Sequence, residues 1–175
     1  MAQYKNQQGI SLIELMIVVA ITMLLVSLGG PSIVESLSKA RLKSVSEETF
    51  FTFKQARSQA LASSADVTLS FKTGDDWCIG MNDSGTCNCS TANSCRINGV
   101  ESVTDYSDFD GIEMDTALFG ADQDVFFDGQ RGLTINQVGY VDFSDAHNKM
   151  RISLNALGRS NICVVNGQIA SYPSC

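Results

Sequence analysis

Gly9-Ile10-Ser11-Leu12-Ile13-Glu14-Leu15-Met16-Ile17-Val18-Val19-Ala20 opens an apolar run that continues to Leu28 and carries one ionisable side chain, Glu14. The run from Ile10 to Leu28 is 19 residues, roughly 28 Å of helix, close to a hydrocarbon core of about 30 Å. An acid at the centre of a membrane helix costs roughly 2.5–3.5 kcal/mol. Glu14 stands near one end, where the cost is smaller and a cationic partner would offset it. A secretory signal peptide has a shorter apolar core followed by a small-residue cleavage site. Here the run is longer and leads into Gly29-Gly30-Pro31, so the segment reads as a retained anchor. Lys5 precedes it and no Lys or Arg follows before Lys39. The positive-inside bias therefore predicts a cytoplasmic N-terminus, with the rest of the chain outside.

Beyond the anchor the helical pattern resumes. Pro31 removes a backbone donor, and with Gly29 and Gly30 beside it a bend or local loosening is expected there. Ser32 to Ala62 contains no Gly or Pro and is rich in helix formers. Leu42, Val45, Thr49, Phe53, Ala56 and Ala60 recur at spacings of 3 and 4, which predicts one buried stripe. Lys39, Lys43, Glu47, Lys54 and Arg57 fall on other faces, and Ser63-Ser64-Ala65-Asp66 reads as a turn. A helix from Ile10 to about Ala62 would run roughly 80 Å if continuous. The remainder reads as strands: 67–71 pairing with 77–81 across a turn at 73–76, then 124–127, 133–135, 140–143, 150–154 and 161–165. One long helix whose amphipathic half covers an antiparallel sheet is an α+β plan.

The chain has 175 residues, 12 Lys+Arg against 19 Asp+Glu, and a net charge of −7. An acidic balance of this kind disfavours nucleic acid and anionic lipid. All six cysteines lie beyond the anchor, as an oxidising compartment such as the periplasm allows. Cys163 and Cys175 are expected to tie the C-terminus to the last strand. Cys78, Cys87, Cys89 and Cys95 lack the paired-knuckle spacing of a zinc site. They read instead as two disulfides whose pairing is left open, save that Cys87 and Cys89 are too close to join each other. No metal, cofactor or small-molecule substrate is implied.

The leader motif, with glycine, apolar residue and acid in register, resembles the prepilin signal of type IV pilins and type II secretion pseudopilins. That resemblance implies cleavage after Gly9 by a prepilin peptidase, N-methylation of Ile10, and a Glu14 that pairs with the amine of a neighbouring subunit during assembly. Phe is the usual first mature residue, so Ile10 departs mildly from the pattern. The stretch from Phe50 to Phe71, Trp77-Cys78-Ile79-Gly80, 127–132 and Leu157-Gly158-Arg159 leading into Ile162-Cys163 are similar to the GspH/FimT (FimU-like) family of minor pilins and pseudopilins. The organisation implied is a leader over residues 1–9, the membrane half of the helix over 10–30, and a pilin globular domain over 31–175. The chain would pass once through the inner membrane before joining a pilus or pseudopilus. Its expected role is to prime type IV pilus assembly with other minor and major pilins, at or near the tip. Retention of Glu14 argues against the topmost position, because in this family that subunit often lacks the acid. The alternatives are a GspH-like pseudopilin of a type II secretion system and a FimT-like DNA receptor for transformation.

The other constellations are weak. Some FimT-like proteins bind DNA through a G-R-x-R pattern, but Gly158-Arg159-Ser160-Asn161 lacks the second arginine, leaving Arg159 as the one candidate DNA contact. Asp108-Phe109-Asp110-Gly111 resembles the middle of a calcium loop, with Tyr106 and Ala117 where the first and last ligands should stand. His147 is the sole histidine and has no nucleophile motif beside it, so no enzyme is expected. Specificity for a partner is expected in the cysteine-rich segment 82–97, since loops on a rigid scaffold carry recognition.

Overall fold

The computed structural model describes residues 10–120, 123–134 and 137–175, with the side chains of 28–32 excluded. The expected leader, residues 1–9, lies outside the described residues. Helix α1 runs Leu12–Ser63, and its assignment continues through Pro31, whose side chain and expected bend lie outside the described residues. Ser64, at φ 54°, adopts the left-handed conformation that ends many helices. Residues up to Leu37 form one unit and Ser38–Cys175 a second.

Within the second unit the predicted stripe is the buried face of α1. Leu42, Val45, Phe53, Ala56 and Ala60 are fully buried and Thr49 nearly so. Burying a side chain of Leu, Val or Phe size stabilises by about 1.5–3 kcal/mol, which makes this stripe the main fastening of the helix.

Among the described residues ten strands follow. They are β1 (Val67–Lys72), β2 (Cys78–Asn82), β3 (Arg96–Ile97), β4 (Val100–Glu101), β5 (Val103–Asp105), β6 (Glu113–Phe119), β7 (Asp124–Phe127), β8 (Gly139–Ser144), β9 (Lys149–Leu154) and β10 (Ser160–Asn166). One four-stranded sheet has the order β5-β2-β1-β7, a second has β10-β9-β8-β6, and β3 and β4 form a small hairpin. Every strand pair is antiparallel. The expected first hairpin forms with Phe71 opposite Ile79. Phe53 of α1, Phe71 of β1 and Phe119 of β6 meet at ring separations of 5.2–6.0 Å, so the helix and both sheets share one core. Trp77 stacks on Phe109 and meets Phe143 edge-on, and its Nε1–H donates to the Ile112 carbonyl at 2.9 Å.

Two expectations about strands need correction. Leu133 and Thr134 are not in a strand, and Ile135 lies outside the described residues. The segment turns instead: Gly132 N–H donates to the Asp128 carbonyl and Asp128 N–H to the Leu133 carbonyl, with Gly132 at φ +63°. Glu113–Phe119, where no strand was expected, is β6, whose Met114, Ala117 and Phe119 are buried. The β3–β4 hairpin is also new; Asn98 and Gly99 both take positive φ, as a two-residue primed turn requires.

Candidate functional site

At the N-terminal end of α1 the surface is apolar. Ile10, Leu12, Ile13, Leu15, Met16 and Ile17 are all exposed, and Glu14 lies in the first helical turn, where a carboxylate complements the positive helix terminus. Among the described residues no helix is long and apolar enough to cross a membrane. The span expected from the sequence ends at Leu28, whose side chain lies outside the described residues.

The four clustered cysteines are joined as Cys78–Cys89 and Cys87–Cys95, which pins the segment 83–95 across β2. Gly80 lies directly beneath: a Cβ there would come within 2.2 Å of Cys95 Sγ. Asn82 Oδ1 accepts from Arg96 N–H at 3.2 Å, and the Ser70 hydroxyl accepts from Cys87 N–H at 3.1 Å, so the crosslinked segment is also bonded to the sheet. It presents Ser, Thr and Asn side chains outward on a rigid base. Among the described residues no group of three or more His, Cys, Asp or Glu could hold a metal ion.

A cleft of about 700 Å³ lies in the Ser38–Cys175 unit, with Asp75, Asp110, Glu113 and Asp145 in its lining. Asp145 is a structural acid: burial pushes its carboxyl up, but N–H groups of His147 and Asn148 and the Ser38 hydroxyl outweigh that, so its pKa is lowered. His147 is exposed in this turn, and its backbone is what the Asp145 carboxylate engages. Of the acids in the calcium-like stretch, Asp110 faces Arg41 at 3.6 Å and Asp105 caps a 3-10 turn over Tyr106–Asp108.

A second groove, of about 660 Å³, separates α1 from the turn that enters β10. Phe50, Lys54, Arg57 and Leu61 form its helical wall, and Gly158, Arg159, Ser160 and Asn161 the other. Arg57 Nε donates to the Gly132 carbonyl at 3.1 Å, and its side chain packs on Gly158, which holds φ +68°. Asn155 Oδ1 accepts from the N–H groups of Leu157 and Arg159 and so builds the turn that presents Arg159. Lys54 Nζ stands 4.1 Å above the Phe50 ring.

Below this groove the C-terminus is clasped. Cys163 is bonded to Cys175, Val164 exchanges hydrogen bonds with Pro173 and Cys175, and the Tyr172 hydroxyl donates to the Glu47 carboxylate on α1. Burial and that carboxylate push Tyr172 up to about 12.

The family described as Type II transport protein GspH matches residues 47–158, well over half of the chain. The chain belongs to the GspH family. The motif described as the prokaryotic N-terminal methylation motif matches residues 4–29. No curated protein and no solved structure matches significantly. Membership with this motif makes the chain a membrane-anchored minor pilin or pseudopilin, of a structural family whose members interact with other pilins or pseudopilins. The GspH match begins on α1 at Glu47 and ends at Gly158, so it covers the aromatic core and stops where the Arg159 turn begins. Sequence reasoning picked out Arg159 but not the groove. Arg57, placed off the buried stripe, and Phe50, part of the family resemblance, stand more than a hundred residues away in the chain.

Proposed function

We propose that this GspH-family chain is a minor pilin that primes type IV pilus assembly and occupies a position at or near the pilus tip. The observation that carries the reading is continuity: one helix, α1, connects the N-terminal methylation motif to the GspH region with its buried stripe. A prepilin peptidase cuts after Gly9 and the new terminus, Ile10, is N-methylated. Residues 10–30 then hold the chain in the inner membrane, with the N-terminus cytoplasmic and residues 31–175 periplasmic. Glu14 neutralises the terminal amine of an adjacent subunit, which offsets its own cost in lipid. The disulfides fit the periplasm, and the chain works as a structural part without catalysis.

The family description itself favours one second reading, a minor pseudopilin of a type II secretion system. Both readings share the processing step. Intact mass and N-terminal sequencing of the protein from membranes, with and without the peptidase, test it. A chain starting at methylated Ile10 only when the peptidase is present supports the proposal. Intact Met1 in both strains sinks it. Deleting the pilus or the secretion machinery in turn, and asking which loss strands the processed chain in the membrane, separates the two machines.

A further inference from the structure

β10 is an edge strand, and its free edge is only half covered. Val164 stays in register with Met150 of β9, but its backbone polar groups point to the other side: its N–H donates to the Pro173 carbonyl at 2.8 Å and its carbonyl accepts from Cys175 N–H at 3.0 Å. The chain's own C-terminus thus lies alongside as a short parallel strand, with Val164 opposite Ser174. Strand periodicity of two points the N–H and C=O of Ile162 and Ser160 the same way. No segment covers that stretch among the described residues. The tail fills the channel between β10 and α1 beside Lys43 and Glu47, where Tyr172 bridges to the helix. The channel continues past Phe50 as the groove of Lys54, Arg57 and Arg159.

The charge there is unusual for an acidic chain. Among the described residues, Lys54, Arg57, Arg96 and Arg159 have no carboxylate within ion-pair distance, and three of these four line the open half of the channel. The apolar lining is Phe50 and Leu61. Ser160 Oγ is buried without a hydrogen-bond partner. An exposed strand edge gives main-chain donors and acceptors to an incoming strand, and flanking side chains then select its sequence.

We propose that the open half of this channel docks an extended, carboxylate-bearing segment of a neighbouring pilin-type subunit. The segment adds a short strand to β10 at 160–162 and sets its acids against Lys54, Arg57 and Arg159, with an apolar side chain on Phe50 and Leu61. The C-terminal tail shows the geometry, since it already occupies the adjacent half of the same edge in this manner. A polypeptide fits better than nucleic acid: the edge groups repeat at strand spacing, and three cations in a chain of net charge −7 are few for a phosphate backbone. The identity of the partner rests on the reading of this chain as a subunit that assembles with other pilins.

The test is site-specific photocrosslinking in cells, with a benzophenone amino acid at position 58 of the full-length chain. The expected product is an adduct with another subunit that carries a prepilin-type leader, mapped by mass spectrometry to an Asp- or Glu-bearing segment. Two variants then probe the contact. Arg159→Glu reverses an exposed charge. Ser160→Pro removes an outward-facing N–H at the first residue of an edge strand, where proline is tolerated. Each should lower the adduct more than about tenfold with the melting transition and the Cys163–Cys175 bond retained. An adduct that ignores both variants overturns the proposal, as does one with DNA, with a second copy of this chain or with a segment lacking acids. N-methylation of Ile10 and incorporation into the filament are measured in the same cells. Normal processing and incorporation without any adduct rejects the docking site and leaves the pilin reading standing.

Discussion

Tyr172 is held by one carboxylate, and its titration reports whether the C-terminal clasp is closed. Burial and the bond to Glu47 raise its hydroxyl to about 12, against an ordinary value near 10. The neutral form is the one the fold prefers. Its stabilisation is therefore complete below about pH 10 and lost as pH rises through about 12. A near-ultraviolet absorbance titration should show a late tyrosine step, and Tyr172→Phe should delete it. The same variant should cost about 1.5–3 kcal/mol in denaturant unfolding, the worth of a hydrogen bond to a charged group. A late step that survives the substitution would assign it to another tyrosine and detach the clasp from α1. Gly80 poses a steric question rather than an electrostatic one. Any Cβ there meets Cys95 Sγ at 2.2 Å, Cys87 Sγ at 2.9 Å and Cys89 Cβ at 3.0 Å. Gly80→Ala should therefore destabilise by about 1–3 kcal/mol and shift the mapped disulfides away from Cys78–Cys89 and Cys87–Cys95. An unchanged midpoint with both native bonds would mean that the crosslinked segment does not rest on β2.

Elements differ in how openly the sequence announces them. The buried stripe of α1 is legible because Leu42, Val45, Thr49, Phe53, Ala56 and Ala60 repeat at helical spacing and face one core. β6 is hidden for a physical reason: its register against β8 shifts between Met114 and Thr116, so the buried Met114 falls out of phase with Ala117 and Phe119. A bulge of this kind breaks the period of two on which strand reading depends. Leu133 misleads in the opposite sense, an apolar residue whose backbone is spent on closing a turn with Asp128. The groove beside β10 was not legible either, because its two walls come from residues 50–61 and 158–161 and meet only in the folded unit. The last strand was legible from its residue pattern, and Cys163 within it is bonded to Cys175. Replacing Cys163 and Cys175 by Ser should lower stability by roughly 2–3 kcal/mol and expose 167–172 to limited proteolysis. Uncut tail and full stability would show that Tyr172 and the Val164 hydrogen bonds hold the tail without the disulfide.

At the level of the whole chain, two parts carry two kinds of chemistry. Ser38–Cys175 has a closed core, three disulfides and the ion pairs Asp142–Arg151 and Asp115–Lys149. The apolar side chains from Ile10 to Ser27 are exposed, and Glu14 is the acid of their first helical turn. A residue that serves folding and a residue that serves assembly should then separate cleanly under substitution. Glu14 lies outside the Ser38–Cys175 unit, so thermal unfolding of Glu14→Ala in detergent should match the parent within about 0.5 kcal/mol, as for a surface change. Removal of the acid also eases transfer into lipid, so membrane retention should hold or increase. What should fall is incorporation into the filament, because the amine of an adjacent Ile10 would lose its counter-charge in a medium that penalises an unpaired ion. The measurement is the ratio of processed chain in sheared filaments to processed chain in membranes. Equal ratios for parent and Glu14→Ala would reject the assembly role proposed for Glu14. A lower ratio with unchanged unfolding would place that role in the helix and leave the domain surface, with its groove beside β10, to choose the neighbour.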